Sequence, residues 1–233
     1  PTRLEEQVRR WNELSDESKQ KVAVIQVGCS VVNQMGREIG VVMPINQGNL
    51  RESIMANGAG TPSSSFLFVR QALIGVGGFD EKLKSGLDHD IWMSLAANEY
   101  SSEAVRRALV IVRRDSRQTM MSDAATRIRG IDQFVNKWLP TYQEWFGVTR
   151  GNRYATKYFI RVICRLAGEQ LSRGAVRNAC VSGWAVLMRA GRHPRLTPFA
   201  AYWLLRCCIS SVIHSRYSLR PNLTESRRIA SDR

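Results

Sequence analysis

The chain has 233 residues, 44% of them hydrophobic, and carries 34 Lys and Arg against 20 Asp and Glu, a formal net charge of +14. This apolar fraction supplies a core and excludes wholesale disorder, and the length suits one large domain or two small ones. Five cysteines without CxxC spacing exclude a small disulfide scaffold and predict reduced thiols, while His89, His193 and His214 stand too far apart for a structural zinc site.

Pro1 rather than Met opens the chain, which reads as a fragment whose N-terminal part is missing. Leu4, Val8, Trp11 and Leu14 recur at helical spacing, with Glu5, Glu6, Arg9 and Arg10 on the other side, so an amphipathic helix buried through its apolar stripe is predicted. The β-branched run from Val22 to Val32 predicts a strand, 33–36 a turn, and 38–43 the returning strand of a hairpin. Asn49 starts a short helix, and residues 57–62 form a Gly-rich loop. Residues 65–69 suit a buried strand, 71–76 a brief helix stopped by Gly77 and Gly78, 88–97 a helix, and 108–112 a strand. Helix and strand thus alternate in α/β fashion over the first half.

The texture changes near residue 120. Residues 1–120 hold 15 bases and 14 acids, whereas 121–233 hold 19 bases and 6 acids, so the second half carries +13 of the total +14. Apolar residues at helical steps from Ile128 to Leu139 predict a helix that Pro140 bends or interrupts, and 147–151 a break. Residues 154–171, 175–190 and 198–214 then read as three helices separated by glycine turns, a pattern shared by helical repeats and small bundles. Arg153, Lys157, Arg161 and Arg165, each four apart, form one basic stripe. Such a charge suits an anionic partner: a phospholipid surface, nucleic acid or a phosphorylated ligand. Nucleic acid is the weakest of these, because no DNA- or RNA-reading motif is present.

The most informative stretch is Gly77-Gly78-Phe79-Asp80-Glu81, then Leu83 to Gly86, then Leu87-Asp88-His89-Asp90-Ile91-Trp92-Met93. This turn, followed by an acidic helix start and Asp-aliphatic-Trp, resembles the second half of a family-2 glycosyltransferase. The resemblance covers roughly residues 1–140 and is strongest over 62–97. It implies an α/β fold: a partial GT-A, Rossmann-like sheet over 1–120 with a basic helical C-terminal region over 121–233. It further implies a nucleotide-sugar donor, a glycan or lipid-linked acceptor, and a divalent metal, Mg or Mn, whose ligands lie mostly outside this chain. Asp88, second of the family's acidic pair, is the expected catalytic base. Leu87 stands where the family more often has Glu, so any sugar contact of that Glu is lost. Gly78, Phe79, His89 and Asp90 are expected on the acceptor side, with Asp90 also capping or orienting its helix and Trp92 in the core. Relatives show a His after the following strand; here Arg114 or Asp115 takes that place, and Arg114 and Arg117 are candidate diphosphate contacts.

The chemistry calls for these residue types. An acceptor hydroxyl must lose a proton as it attacks the anomeric carbon, so a carboxylate must lie within hydrogen-bond reach. The unpaired amides of a helix mouth attract an anion. The resulting expectation is an inverting glycosyltransferase of surface-polysaccharide synthesis, cytoplasmic and peripheral at the membrane face, with the fragment alone inactive. The alternative is a non-catalytic fragment or a basic membrane- or anion-binding helical module.

Overall fold

The computed structural model describes residues 2–33, 35–45, 47–57, 63–113 and 123–218, with backbone alone for 55–57 and 210–218. The chain divides into two compact units, Pro1–Arg117 and Gln118–Arg233.

The first unit is mixed α/β. Helix α1 (Arg3–Asn12) opens on a capping box, in which Thr2 Oγ1 accepts from the Glu5 amide at 3.3 Å and the Thr2 amide donates to the Glu5 carboxylate at 2.6 Å. The buried face of α1 is not the one its apolar periodicity predicts. Leu4 and Val8 are 51% and 48% exposed, whereas Glu6 and Gln7 are buried. Polar links decide the roll of the helix. Gln7 Nε2 donates to the carbonyls of Ile25 at 2.7 Å and Ser65 at 3.1 Å, and Glu6 pairs with Arg9 and Arg107. Of the predicted stripe, only Trp11 and Leu14 reach the core, against Val22, Ile25 and Val105.

After α2 (Asp16–Lys21), strand β1 (Val22–Val32) is buried at eight successive positions, so both of its faces are covered. One edge runs parallel to β5 (Ser101–Arg113). The other edge is shared by two antiparallel strands: β4 (Phe66–Phe68) pairs along Val24–Gln26 and β2 (Glu38–Val42) along Cys29–Val32. The short β3 (Gly48–Asn49) pairs with β5, giving the order β2-β1-β5-β3 with β4 beside β1. The hairpin of β1 and β2 forms as the sequence predicts. β5 begins seven residues before the predicted Ala108, because its first half is polar and breaks the alternation (Val27 pairs with Val105, but Gly28 with Ala108). Gly28 is required there, since a Cβ would lie 2.6 Å from Met43 Sδ and 3.0 Å from the Arg107 carbonyl. Three helices complete the unit. In α3 (Leu50–Asn57), Asn49 Oδ1 caps the Glu52 amide at 3.1 Å; α4 (Arg70–Gly75) and α5 (Leu87–Ala97) follow β4.

The second unit is helical: α6 (Ala124–Phe146), α7 (Val148–Ser172), α8 (Val176–Gly191) and α9 (Thr197–Ser218). The other three pack around α7, so the arrangement is a bundle and not a linear stack. Pro140 does not interrupt α6. It forfeits one backbone hydrogen bond, but Phe134, Val135, Trp138 and Tyr142 are buried on either side of it and hold the helix together. Gly151, predicted as part of a break, lies inside α7. A Cβ there would sit 2.6 Å from the Tyr142 carbonyl, so the glycine lets α6 and α7 meet at backbone distance. Tyr154 stacks on Phe146 at 4.9 Å and tilts against Tyr142 at 4.9 Å beside that crossing. Buried Ser182 Oγ lies 2.8 Å from Gln170 Oε1 and ties α8 to α7.

The predicted basic stripe is on α7, where two of its members touch rings of α9 while Arg153 and Arg165 stay exposed. Lys157 Nζ lies 5.0 Å from the Phe199 ring and Arg165 Cζ 5.8 Å from Trp203, both on α9. Burial, with Arg153 and Arg161 alongside, pushes the Lys157 ammonium below its ordinary value. Among the described residues, no helix is long and apolar enough to cross a membrane.

Two outcomes test the α1 attachment. Gln7→Leu strips the amide from two buried carbonyls and should lower the urea-unfolding free energy by about 1–3 kcal/mol. The hydrogen bond from Arg9, aided by the charge of Arg107, holds the Glu6 carboxyl below its ordinary range. A lowered native value stabilises the fold above the unfolded-state value, and this contribution fades as pH falls through the native one. The gap in urea midpoint between parent and Glu6→Gln should therefore be widest near neutral pH and close below about pH 4.

Candidate active site at the mouth of helix α5

The segment between β4 and α5 is built from three turns. Helix α4 ends in a paired-glycine cap: the Gly78 amide donates to Leu73 O at 2.9 Å and the Gly77 amide to Ile74 O at 3.0 Å. Both glycines have positive φ, +84° and +70°, and a Cβ at either would touch nothing within 4 Å. They are needed for backbone conformation and not to make room. Phe79 then packs edge-on against Phe68, with centroids 6.2 Å apart and planes at 89°. Asp80 makes the next turn, its carboxylate accepting from the Lys82 amide at 3.0 Å and its carbonyl from the Leu83 amide at 3.1 Å. The third turn is Gly86, left-handed at φ +83°, which takes the N-cap position of α5 without any side-chain cap.

The direction of α5 follows from its contacts. Trp92 meets Phe66 at 5.1 Å, and Phe66 is paired with Gln26 in the middle of β1. The helix finishes at Ala97, shortly before Ser101, which pairs with Val22 at the start of β1. Hence α5 descends the sheet, and its first turn lies about one helical turn above the Gln26 level, short of Val32 where β1 ends.

The two aspartates of this first turn part company. Asp88 is exposed and makes no hydrogen bond or ion pair among the described residues. Asp90 is only 1% exposed. Gly86 holds the N-cap position, and the Asp90 amide makes the first helical bond, to Gly86 O at 2.8 Å. His89 is half-buried between them, and Leu87 is 37% exposed at the helix start. Trp92 is in the core as the sequence predicts, its Nε1 buried without a hydrogen-bond partner among the described residues.

The motif's two halves sit at different levels along the sheet. Phe79 is anchored through Phe68 opposite Val24, toward the amino end of β1, while Asp88 lies a turn beyond the Gln26 level in the other direction. His89 and Asp90 share the first turn of α5 with Asp88, while Phe79 is held on Phe68. Arg114 and Arg117 fall outside the described residues; Arg113 is exposed at the last position of β5. Among the described residues, no group of three or more His, Cys, Asp or Glu side chains is placed to hold a metal ion.

Sequence reasoning missed the turn made by Asp80 and the capping position of Gly86. Both were signalled, by an Asp two residues before an exposed Lys and by a lone Gly ahead of a helix-forming run. The Gln7 bridge had no such signal, since a glutamine on a polar-looking helix face reads as solvated. The chain matches no protein-family model and no curated protein sequence.

Gly77→Ala should lower stability by about 1–2 kcal/mol, the cost of holding a Cβ residue in the left-handed region. Gly77→Asn, which tolerates that region, should lose less, and urea unfolding of the two variants makes the comparison.

Proposed function

We propose that this chain is the acceptor-side part of an inverting family-2 glycosyltransferase with a GT-A sheet, and that Asp88 is its general base. The observation that carries this reading is the separation of the two acids at the α5 mouth. Asp88 reaches solvent at the start of α5, and Asp90 is sunk in the core. A base must meet the proton it removes, so only Asp88 is suited to the role. Asp90 is then a positioning residue, and His89 is the neighbour that can reach the acceptor. Gly78 and Phe79 act in this reading by fixing where α5 begins, upstream of the chemistry.

The reaction is a single displacement. Asp88 accepts the hydrogen of the acceptor hydroxyl while that oxygen forms a bond to the anomeric carbon. The bond from that carbon to the donor's diphosphate oxygen breaks, and the nucleoside diphosphate leaves with the electron pair. The uncapped amides of the α5 mouth add a positive field beside the carboxylate. Donor and divalent metal, Mg or Mn, would find their ligands outside the described residues. The acceptor is a glycan or a lipid-linked sugar, and the location is cytoplasmic.

The test is Asp88→Asn in the protein as its gene encodes it, with turnover followed by release of nucleoside diphosphate. Transfer should fall at least about a hundredfold, the lower end for loss of a general base, with donor affinity unchanged. Undiminished turnover would remove Asp88 from the mechanism.

A further inference from the structure

The outer side of helix α8 is apolar where a solvated bundle helix should be polar. Val181, Trp184 and Met188 recur at three- and four-residue steps, and they are 43%, 65% and 50% exposed. The buried side of the same helix is formed by Ala179, Ser182, Val186 and Ala190, which face α7 and leave this second stripe uncovered. The neighbouring α9 repeats the pattern: Tyr202, Leu205 and Ile209 are 56%, 61% and 50% exposed. A helix hydrophobic on two sides is either buried on both or meets a second apolar phase.

Charge decides what that phase is. Between Glu169 and Glu225 the sequence contains no Asp or Glu, yet it contains eight arginines. Arg177 and Arg192 are exposed near the two ends of the α8 stripe, and Arg195 is exposed in the turn toward α9. Two copies meeting through this face would bring like charges together with no acid in the segment to offset them. Nucleic acid would answer the arginines but leave Trp184 and Leu205 without an apolar partner. An anionic bilayer surface answers both, with phosphate headgroups for the arginines and the acyl boundary for the apolar stripe.

We propose that the outer faces of α8 and α9 lie in the plane of an anionic phospholipid surface, with Trp184 at the acyl boundary and Arg177, Arg192 and Arg195 among the headgroups. Lys157 and Arg165 of the α7 stripe lie against the rings of α9, with Arg165 still exposed. This attachment stands apart from the glycosyl-transfer reading, and each can fail without the other.

The experiment is sedimentation of the full 233-residue chain with vesicles of phosphatidylcholine alone or with roughly a third phosphatidylglycerol. The chain should pellet with the anionic vesicles only and be released as salt rises from about 0.1 to about 0.5 M. Trp184→Glu, and separately Arg177→Glu with Arg192→Glu, should each weaken partitioning at least about tenfold while far-UV circular dichroism is unchanged. Trp184→Phe should keep binding but lose part of the fluorescence quenching by brominated lipid. Failure to pellet with anionic vesicles overturns the proposal, as does binding that Trp184→Glu and the double arginine variant leave intact. A dimer abolished by Trp184→Glu, without vesicle binding, would assign the face to a second copy and overturn it equally.

Discussion

The first unit depends on a single strand being hydrogen-bonded along both edges. β1 pairs with β5 on one side and with β4 and β2 on the other, and its residues from Val22 to Cys29 are buried without a break. A strand so placed cannot slip by one residue without moving Gln26 and Gly28 out of the only surroundings that accept them. Gly28 in particular faces the Met43 side chain and the Arg107 carbonyl so closely that a Cβ there would need both to give way. The irregular pairing of β5 at this level and the pairing of Glu6 with Arg107 meet at the same place. Helix α1 is then pinned by Gln7 to the Ile25 and Ser65 carbonyls, which joins β1 to the turn that precedes β4.

The candidate site inherits its position from that strand. β4 runs antiparallel to β1 and delivers the chain to the amino end of the sheet, where α4 must stop and reverse. Two left-handed glycines make the reversal, Phe79 fastens it to Phe68, and Asp80 closes the following turn. The chain has then to climb back before α5 can descend into β5, and Gly86 is the point at which it turns down. Asp88 is therefore carried to the start of α5 by a sequence of turns, each with its own local cause. The burial of Trp92 and Asp90 just behind it fixes the rotation of α5, so that Asp88 is the acid left facing water.

Elements whose cause is local were legible in the sequence. The hairpin of β1 and β2, the Asn49-capped α3, and the α5 helix with its Ile91, Trp92 and Leu95 face all follow from turn chemistry or periodicity within a few residues. Errors arose where a distant partner decided. α1 rolled its Leu4 and Val8 outward because Gln7 and Glu6 found partners about 20 to 100 residues away. Gly151 was read as a breaker, yet it marks contact with the backbone of another helix. Pro140 is expected from sequence to bend or interrupt its helix, yet packing on both sides of it carries the helix on. At the site, only the family resemblance assigned Asp88 and Asp90 different roles, since both lie at the start of one helix; the packing of α5 leaves one acid exposed and the other buried.

The same distinction organises the arginines of the second unit. Arg189 is half-buried, bonded to Asp132 at 2.7 Å and resting on the Phe159 ring at 5.0 Å, so it belongs to the joint between α6, α7 and α8. Arg165 and Arg206 flank Trp203 at 5.8 and 5.1 Å and help seat α9. Of these only Arg189 is paired with an acid, and Arg165 and Arg206 stay exposed beside their ring. Arg177, Arg192 and Arg195 are exposed too, no acid follows until Glu225, and the stripe between them is apolar. A net charge by itself speaks only of solubility and of attraction to anions in general. Set beside the exposed apolar stripes of α8 and α9, it gains a direction, because there the charge and the exposed apolar area ask for the same partner.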